Sequence, residues 1–218
     1  MLNLYFNRRD SVSNVLNREI KEENILVFGF NGTPKISYKM ELSGENRELS
    51  KIVELSKKGN KTVISGAITD NFGIIRKSVL VADNGKLLGI SDMNMCLDKE
   101  GYSSGTGHRI YHTKNGKIGV LVGDDIIDLD GIKAMSICGA DLIVIILSKQ
   151  ETNIDSVLVR AYSYLFGVPV VVFTSSSVIA GDIRGEICSG SYDEECKIVV
   201  PLKKSYRLCQ IKKRGIKI

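Results

Sequence analysis

The sequence predicts an α/β fold built from layered helices and strands, and three observations predict it. Residues 118–122 and 142–147 are apolar at nearly every position, as strands buried on both faces are. Between them, residues 128–138 set Leu129, Ile132 and Met135 near helical spacing, which completes a strand–helix–strand unit. Turn chemistry at Asp83-Asn84-Gly85-Lys86 and Lys114-Asn115-Gly116 adds hairpins to that alternation.

In order along the chain, residues 2–6 predict a short strand and residues 8–23 a mostly polar helix. Residues 24–30 read as an apolar strand ending in Phe28-Gly29-Phe30, and 31–35 as a turn carrying Gly32 and Pro34. Within 46–58, Leu49, Ile52, Val53 and Leu55 share one helical face. Residues 61–67 and 78–82 predict strands, the second turning back through the Asn84-Gly85 hairpin into a strand at 87–90. Residues 92–104 are irregular and lead to 109–112. After the central unit come a helix at 155–166 and a third buried strand at 168–174. Strands at 177–180 and 197–201 close the chain around a turn at 181–185. This pattern implies α/β layers but leaves a three-layer sheet and a four-layer sandwich both open.

With 218 residues, one domain with a substantial core is expected, and 43% hydrophobic with 25% charged residues is the balance of a soluble globular chain. The longest apolar runs, 142–147 and 168–173, are far too short to span a bilayer, and residues 1–6 lack the charged and long apolar regions of a signal peptide. No membrane association and a cytoplasmic location are expected. Five widely spaced cysteines, an odd number, do not suggest a disulfide framework, and two histidines make no zinc set, so no metal or cofactor is expected. His108 and His112 read as solvated loop residues. Residues 201–218 hold seven lysines and arginines and no acid, so the net charge of +5 becomes −2 over the preceding 200 residues. The segment 203–218 reads as a basic strand or tail with a solvated end, and nucleic acid is not the expected partner.

Gly123-Asp124-Asp125 falls at the carboxyl end of the first buried strand, where open α/β sheets place their chemistry. Two adjacent carboxylates there can do acid/base work or bind a cation, and the favoured simpler reading is that Asp125 caps the following helix.

The stretch Lys117-Ile118-Gly119-Val120-Leu121-Val122-Gly123-Asp124-Asp125, followed by Gly139-Ala140-Asp141-Leu142-Ile143, resembles the core signature of the carbon–nitrogen hydrolase (nitrilase) superfamily, K-I-G-V-x-I-C-[YW]-D and G-A-D-L-I. Other segments fall in the family's order over about residues 24–202. Residues 25–30 resemble an apolar run ending in F-P-E, and 81–89 the hairpin before the catalytic lysine. Residues 100–105 are similar to E-x-x-x-x-G, Arg160-Ala161 onwards to R-A-x-E-N, and 177–187 to the late S-x-I-x-x-P-x-G-x-I hairpin. The resemblance implies a four-layer αββα sandwich, with residues 1–202 as a single domain. In that family a cysteine thiolate attacks an amide or nitrile carbon, a glutamate moves protons, and a lysine stabilises the developing negative charge. Position by position, the glutamate falls on Phe30, the lysine on Met93 and the cysteine on Gly123, while the glutamate of R-A-x-E-N falls on Ser163.

None of those replacements can perform the chemistry, so the resemblance implies a catalytically inactive relative that binds or scaffolds, with Phe30 and Met93 filling the old site. The alternative is an amide or nitrile hydrolase working through displaced residues such as Cys96, Lys99 and Glu100. The candidate pocket residues are Cys96, Glu100, Asp124 and Asp125, with a small molecule as ligand. The resemblance also implies a homodimer through helices 128–138 and 155–166, using Ile132, Met135, Val157, Tyr162 and Leu165.

Overall fold

The structure is a computed structural model that describes residues 1–17, 23–97 and 101–202. Its described strands form two sheets. One is seven-stranded, with β1 (Leu2–Asn7), β2 (Ile25–Phe28), β3 (Ile36–Ser37), β4 (Thr62–Asn71), β5 (Ile74–Asp83), β6 (Lys86–Asp92) and β13 (Glu195–Val200). Its main order is β13-β1-β2-β4-β5-β6, parallel through β1, β2 and β4 and antiparallel at both margins. The other sheet, in the order β12-β11-β10-β9-β8-β7, holds β7 (Arg109–Thr113), β8 (Gly116–Val122), β9 (Leu142–Ile146), β10 (Val170–Phe173), β11 (Val178–Gly181) and β12 (Ile187–Ser191). Here β8, β9 and β10 are the parallel centre.

Period-two side chains explain the layering. Ile25 and Val27 of β2 point to one face and Leu26 and Phe28 to the other. The first pair joins Leu4, Phe6, Ile64, Val120, Val122, Val144, Ile146 and Phe173 in a core between the sheets. The second pair packs with Ile52 and Leu55 of helix α3 (Glu48–Lys58) and with Val12 and Val15 of α1 (Val12–Leu16). On the far side, Ile143 and Ile145 of β9 pack with Ile132 and Met135 of α4 (Leu129–Ile137) and with Val159 and Phe166 of α5 (Asn153–Phe166). Helix, sheet, sheet, helix is therefore the order of layers. The central strands are apolar on both faces because each has a sheet on one side and a helix on the other.

Several boundaries differ from the sequence reading, each for a local reason. The described part of the predicted helix 8–23 is only α1, because the Asn7 side chain accepts from the amides of Arg9 and Asp10 and makes a turn, and Ser11 caps the helix from there. Strands β4 and β5 run on to Asn71 and Ile74, closed by Phe72 (φ 52°) and Gly73 (φ 93°), a turn with two positive φ values that a phenylalanine does not advertise. A short helix α2 (Tyr38–Ser43) and strand β12 carry no clear apolar period and were not anticipated. The tail 203–218 and residues 98–100 lie outside the described residues. No helix among the described residues is long and apolar enough to cross a membrane.

Candidate functional site

Strand β8 ends at Val122, and Gly123 turns the chain into a short 3-10 turn, Gly123–Ile127, by adopting φ 56°. The left-handed region costs an ordinary L residue about 1 kcal/mol or more, and glycine avoids that cost. A second constraint is steric. A Cβ built at Gly123 would lie 2.5 Å from Sδ of Met93, well inside contact distance. Met93, just beyond β6, is buried in the core between the sheets, and its backbone N–H donates to the Lys77 carbonyl on β5 (2.9 Å). Its sulfur accepts from the Asp124 N–H (3.4 Å).

Phe30 lies two residues beyond β2, partly buried against the same core. It approaches β4 closely at Gly66, where a Cβ would sit 3.0 Å from the Phe30 nitrogen. Phe30 and Gly123 form walls of one cavity of about 360 Å³, so Phe30, Met93 and Gly123 converge at one end of the sandwich from positions far apart in the chain. Met93 fills the space next to Gly123, but the site is not closed, contrary to the expectation that both large residues fill it. Phe30 is a wall of open space.

The rest of that cavity brings in residues the sequence reading did not single out. Ile68 and Lys77 face each other in register across β4 and β5, and Tyr102, Leu147, Ser148 and Lys149 complete the lining with Asp124. The Lys77 ammonium stands 4.7 Å above the Tyr102 ring centroid, a cation–π distance. Tyr102 is carried there by a loop laid along β5, through the Ser103 N–H to the Ile75 carbonyl (2.8 Å) and the Arg76 guanidinium to the Ser104 carbonyl (3.2 Å). Lys149 follows β9, its carbonyl accepting from the Ser175 N–H and its ammonium 3.9 Å from Asp155. A signal for Ser148 and Lys149 existed. They follow a buried parallel strand at its carboxyl end, the same logic that pointed to Asp124.

The two aspartates have separate tasks. Asp124 lines the cavity and accepts from the Leu97 N–H (3.1 Å). Asp125 is wholly buried and does not cap α4. Its carboxylate accepts from the backbone N–H groups of Asn94 (2.9 Å) and Met95 (2.7 Å), which pins the loop after β6 to the end of β8. Burial pushes its pKa above the usual carboxylate value, opposed by those amide bonds and by nearby His108. The cap of α4 is Asp128, which accepts from the Gly131 N–H (3.0 Å).

His108 corrects another expectation. It is not a solvated loop residue: its Nε2 lies 2.6 Å from Asp128 and its Nδ1 2.9 Å from the Asn94 side-chain amide. With Asn94 donating, Nδ1 is the acceptor and the Nε2–H donates to Asp128. That hydrogen bond holds the Asp128 carboxyl below its usual pKa. His112 is exposed on strand β7.

Cys96 is partly buried against the core between the sheets, Cys138 caps the C-terminus of α4, and Cys209, Lys99 and Glu100 lie outside the described residues. Ser163 does not line the cavity. Its hydroxyl donates to the Val159 carbonyl within α5 (2.7 Å), and the helix face it occupies packs against Gly181 of β11. Among the described residues no group of three or more His, Cys, Asp or Glu side chains is placed to hold a metal ion.

No family model matches the sequence, and no curated protein sequence does. Solved structures do match in fold. An amidase from Nesterenkonia sp. AN1, with acrylamide added at its active-site cysteine, superposes with a TM-score of 0.75 at 10% identity, covering 99% of this chain and 100% of that one. Saccharomyces cerevisiae Nit3, of branch 10 of the nitrilase superfamily, gives 0.72 at 14% identity over 100% and 94%. A carbon–nitrogen hydrolase from Helicobacter pylori G27 gives 0.70 at 14% identity over 98% and 92%. With its helix–sheet–sheet–helix layering and near-complete coverage, the chain has the fold of the carbon–nitrogen hydrolase (nitrilase) superfamily.

Proposed function

We propose that this chain is a catalytically inactive form of the nitrilase fold that acts by binding a small molecule in the cavity beside Gly123. The observation that carries this reading is the Met93 sulfur 2.5 Å from where a Cβ on Gly123 would stand. A covalent amide or nitrile hydrolase needs a nucleophile at the strand end, with a base and a cation around it. At the positions the family motif marks for those groups stand Phe30, Met93 and Gly123, and the space for the thiol is taken. Loss of a nucleophile alone costs on the order of a million-fold in a covalent hydrolase. No ammonia release is expected from a panel of amides, nitriles and carbamoyl compounds, and no adduct by mass spectrometry on any cysteine. Turnover that vanishes on Cys96→Ser would establish the displaced-residue hydrolase instead.

The assembly we propose is an isologous homodimer through α4 and α5. Of the residues expected to form it, Ile132, Met135 and Tyr162 are buried inside their own protomer. The surface that remains is Leu129, Ile154, Val157, Tyr164 and Leu165, each half or more exposed, a concentration of apolar side chains that solvent disfavours. Light scattering at micromolar concentration should give a dimer mass for the parent chain and a monomer mass for Val157→Asp. A monomeric parent would remove the dimer from the proposal. A cytoplasmic location belongs to the same reading and is supported by the free thiols of Cys96, Cys138, Cys188 and Cys196.

A further inference from the structure

A second cavity, of about 430 Å³, lies at the end of the sandwich opposite Gly123. The pairings Leu2↔Val200 and Val170↔Gly181 put it there, because Met1 precedes β1, Pro201 follows β13 and the turn 182–185 follows β11. Met1, Ile183 and Pro201 give it an apolar lining, with Asp182 and Arg184 beside them. The turn makes a braced wall. The Asp182 N–H donates to the Glu186 carbonyl (2.9 Å), and the Asp182 carboxylate accepts from the Arg184 N–H (2.9 Å) and guanidinium (3.0 Å). Met1 is 95% exposed and Val199 of β13 is 47% exposed, so apolar side chains face outward at this margin. The described chain ends two residues on from Cys196–Val200, at Leu202, and Pro201 is itself part of the lining, so residues 203–218 continue from the rim.

We propose that residues 203–218 act as a strap of the same chain, seating Tyr206 and Leu208 in this cavity. The strap ties β13 of one sheet to the turn after β11 of the other. Reach allows it. At 3.3–3.6 Å per extended residue, Tyr206 comes within about 14 Å of Leu202 and Leu208 within about 22 Å. These two are the first large apolar residues after Leu202, and at a spacing of two they fall on one side of an extended chain. Charge agrees with it, since residues 201–218 hold seven lysines and arginines and no acid against a net −2 on the preceding 200 residues. A tethered segment meets its seat at an effective concentration of about millimolar, so a shallow seat that would not hold a free peptide can hold this one. The strap also covers apolar surface at the margin of a sheet, where a second copy could otherwise add. The inference is independent of what the cavity beside Gly123 binds.

Limited trypsin digestion of the full chain, read by mass spectrometry, tests the strap, because Lys203, Lys204 and Arg207 are cleavage sites beside the seated residues. When opening and closing are fast relative to cleavage, the rate reports the population of the open form. Cleavage after Arg207 should be about ten-fold or more slower in the full chain than in a synthetic peptide of residues 201–218, the worth of one buried apolar side chain. The double substitution Tyr206→Ser/Leu208→Ser leaves the two sheets untouched and should bring the rate to that of its own peptide. Ile183→Asp should do the same from the other side of the contact; if its thermal melt falls well below the parent's, the segment variant decides alone. A parent cut as fast as the peptide, or protection that survives the segment variant, would overturn the proposal. So would protection lost on dilution, which puts the segment on a second copy. Protection that arises only with anionic vesicles or added nucleic acid would likewise overturn it, making the segment an arm for those surfaces.

Discussion

The triple substitution Phe30→Glu, Met93→Lys, Gly123→Cys is expected to destabilise the protein strongly rather than produce an amidase. Each replacement meets a distinct obstacle. At Gly123 the backbone φ of 56° costs a cysteine about 1 kcal/mol or more. Overlap with the Met93 side chain adds about 1–3 kcal/mol if Met93 remains. At Met93 a lysine ammonium would enter a position only 2% exposed, inside the core between the sheets. The two carboxylates that follow Gly123 are already engaged, Asp125 by the amides of Asn94 and Met95 and Asp124 by that of Leu97. A buried charge without a committed partner costs several kcal/mol, of order 3–5 when an ion pair is left broken. Phe30→Glu would remove packing from one wall of the cavity and set a second charge beside it.

These terms together are on the order of 5 kcal/mol, against a total stability of about 5–15 kcal/mol for a folded domain. For a chain of this length that corresponds to a drop in Tm of roughly 10–20 °C, or to loss of a cooperative transition. Thermal melts followed by circular dichroism would show it, with the single variants ranked Met93→Lys as the most damaging. A triple variant that melts like the parent and releases ammonia from simple amides would mean that the frame is still catalytic and that Met93 yields readily.

How much of this was legible in the sequence depends on which forces set each feature. The strands around Val120, Val144 and Val172 were readable because burial on both faces leaves an unbroken apolar run, and the Asn84-Gly85 turn because its positive φ values, 46° and 77°, call for those residue types. The Phe72-Gly73 turn was not readable, because strand pairing from Thr62↔Asp83 to Asn71↔Ile74 overrides what phenylalanine prefers locally. Phe30, Met93 and Gly123 were placed through an ordered set of family-like segments, and the two large residues gave no local clue to their roles as a wall and a plug. Lys77 was hidden for a different reason. It reads as a charged residue at the edge of a strand, and only the pairing of β4 with β5 and the Tyr102 loop show that it faces the cavity. Asp125 and Asp128 were confused because both precede α4 closely. Which one caps the helix depends on the 3-10 turn that Gly123 begins, and a left-handed glycine cannot be distinguished from any other glycine by its letter.

Asp125 should prove to be one of the most sensitive positions in the chain, with a pH signature that separates it from Asp128. Its buried carboxylate accepts from two backbone N–H groups of the half-buried loop after β6 and ties that loop to the end of β8. Asp125→Ala strands both donors and should cost about 2–4 kcal/mol, at about 1–3 kcal/mol for each unsatisfied buried group with partial relaxation. Asp125→Asn keeps one acceptor oxygen and presents an NH2 group where the second oxygen stood, so it recovers only part of the loss. Hydrogen exchange at the amides of Asn94 and Met95 should rise in both variants. The folded pKa of Asp125 is raised by burial, so its share of stability is fully present below the ordinary carboxylate pKa and declines as pH rises through the raised value. The deficit of Asp125→Asn against the parent is therefore largest in acid and shrinks towards neutral pH. Asp128 has the opposite sign. Its pKa is lowered by the His108 hydrogen bond, so its share is present above the ordinary carboxylate pKa and is lost as pH falls through the lowered value. The deficit of Asp128→Asn should therefore be full at neutral pH and fade in acid. Urea melts of the two asparagine variants from pH 3 to pH 8 should give deficits that run in opposite directions; parallel curves, or an Asp125→Ala variant within about 0.5 kcal/mol of the parent, would rule out the buried carboxylate as the clasp of this site.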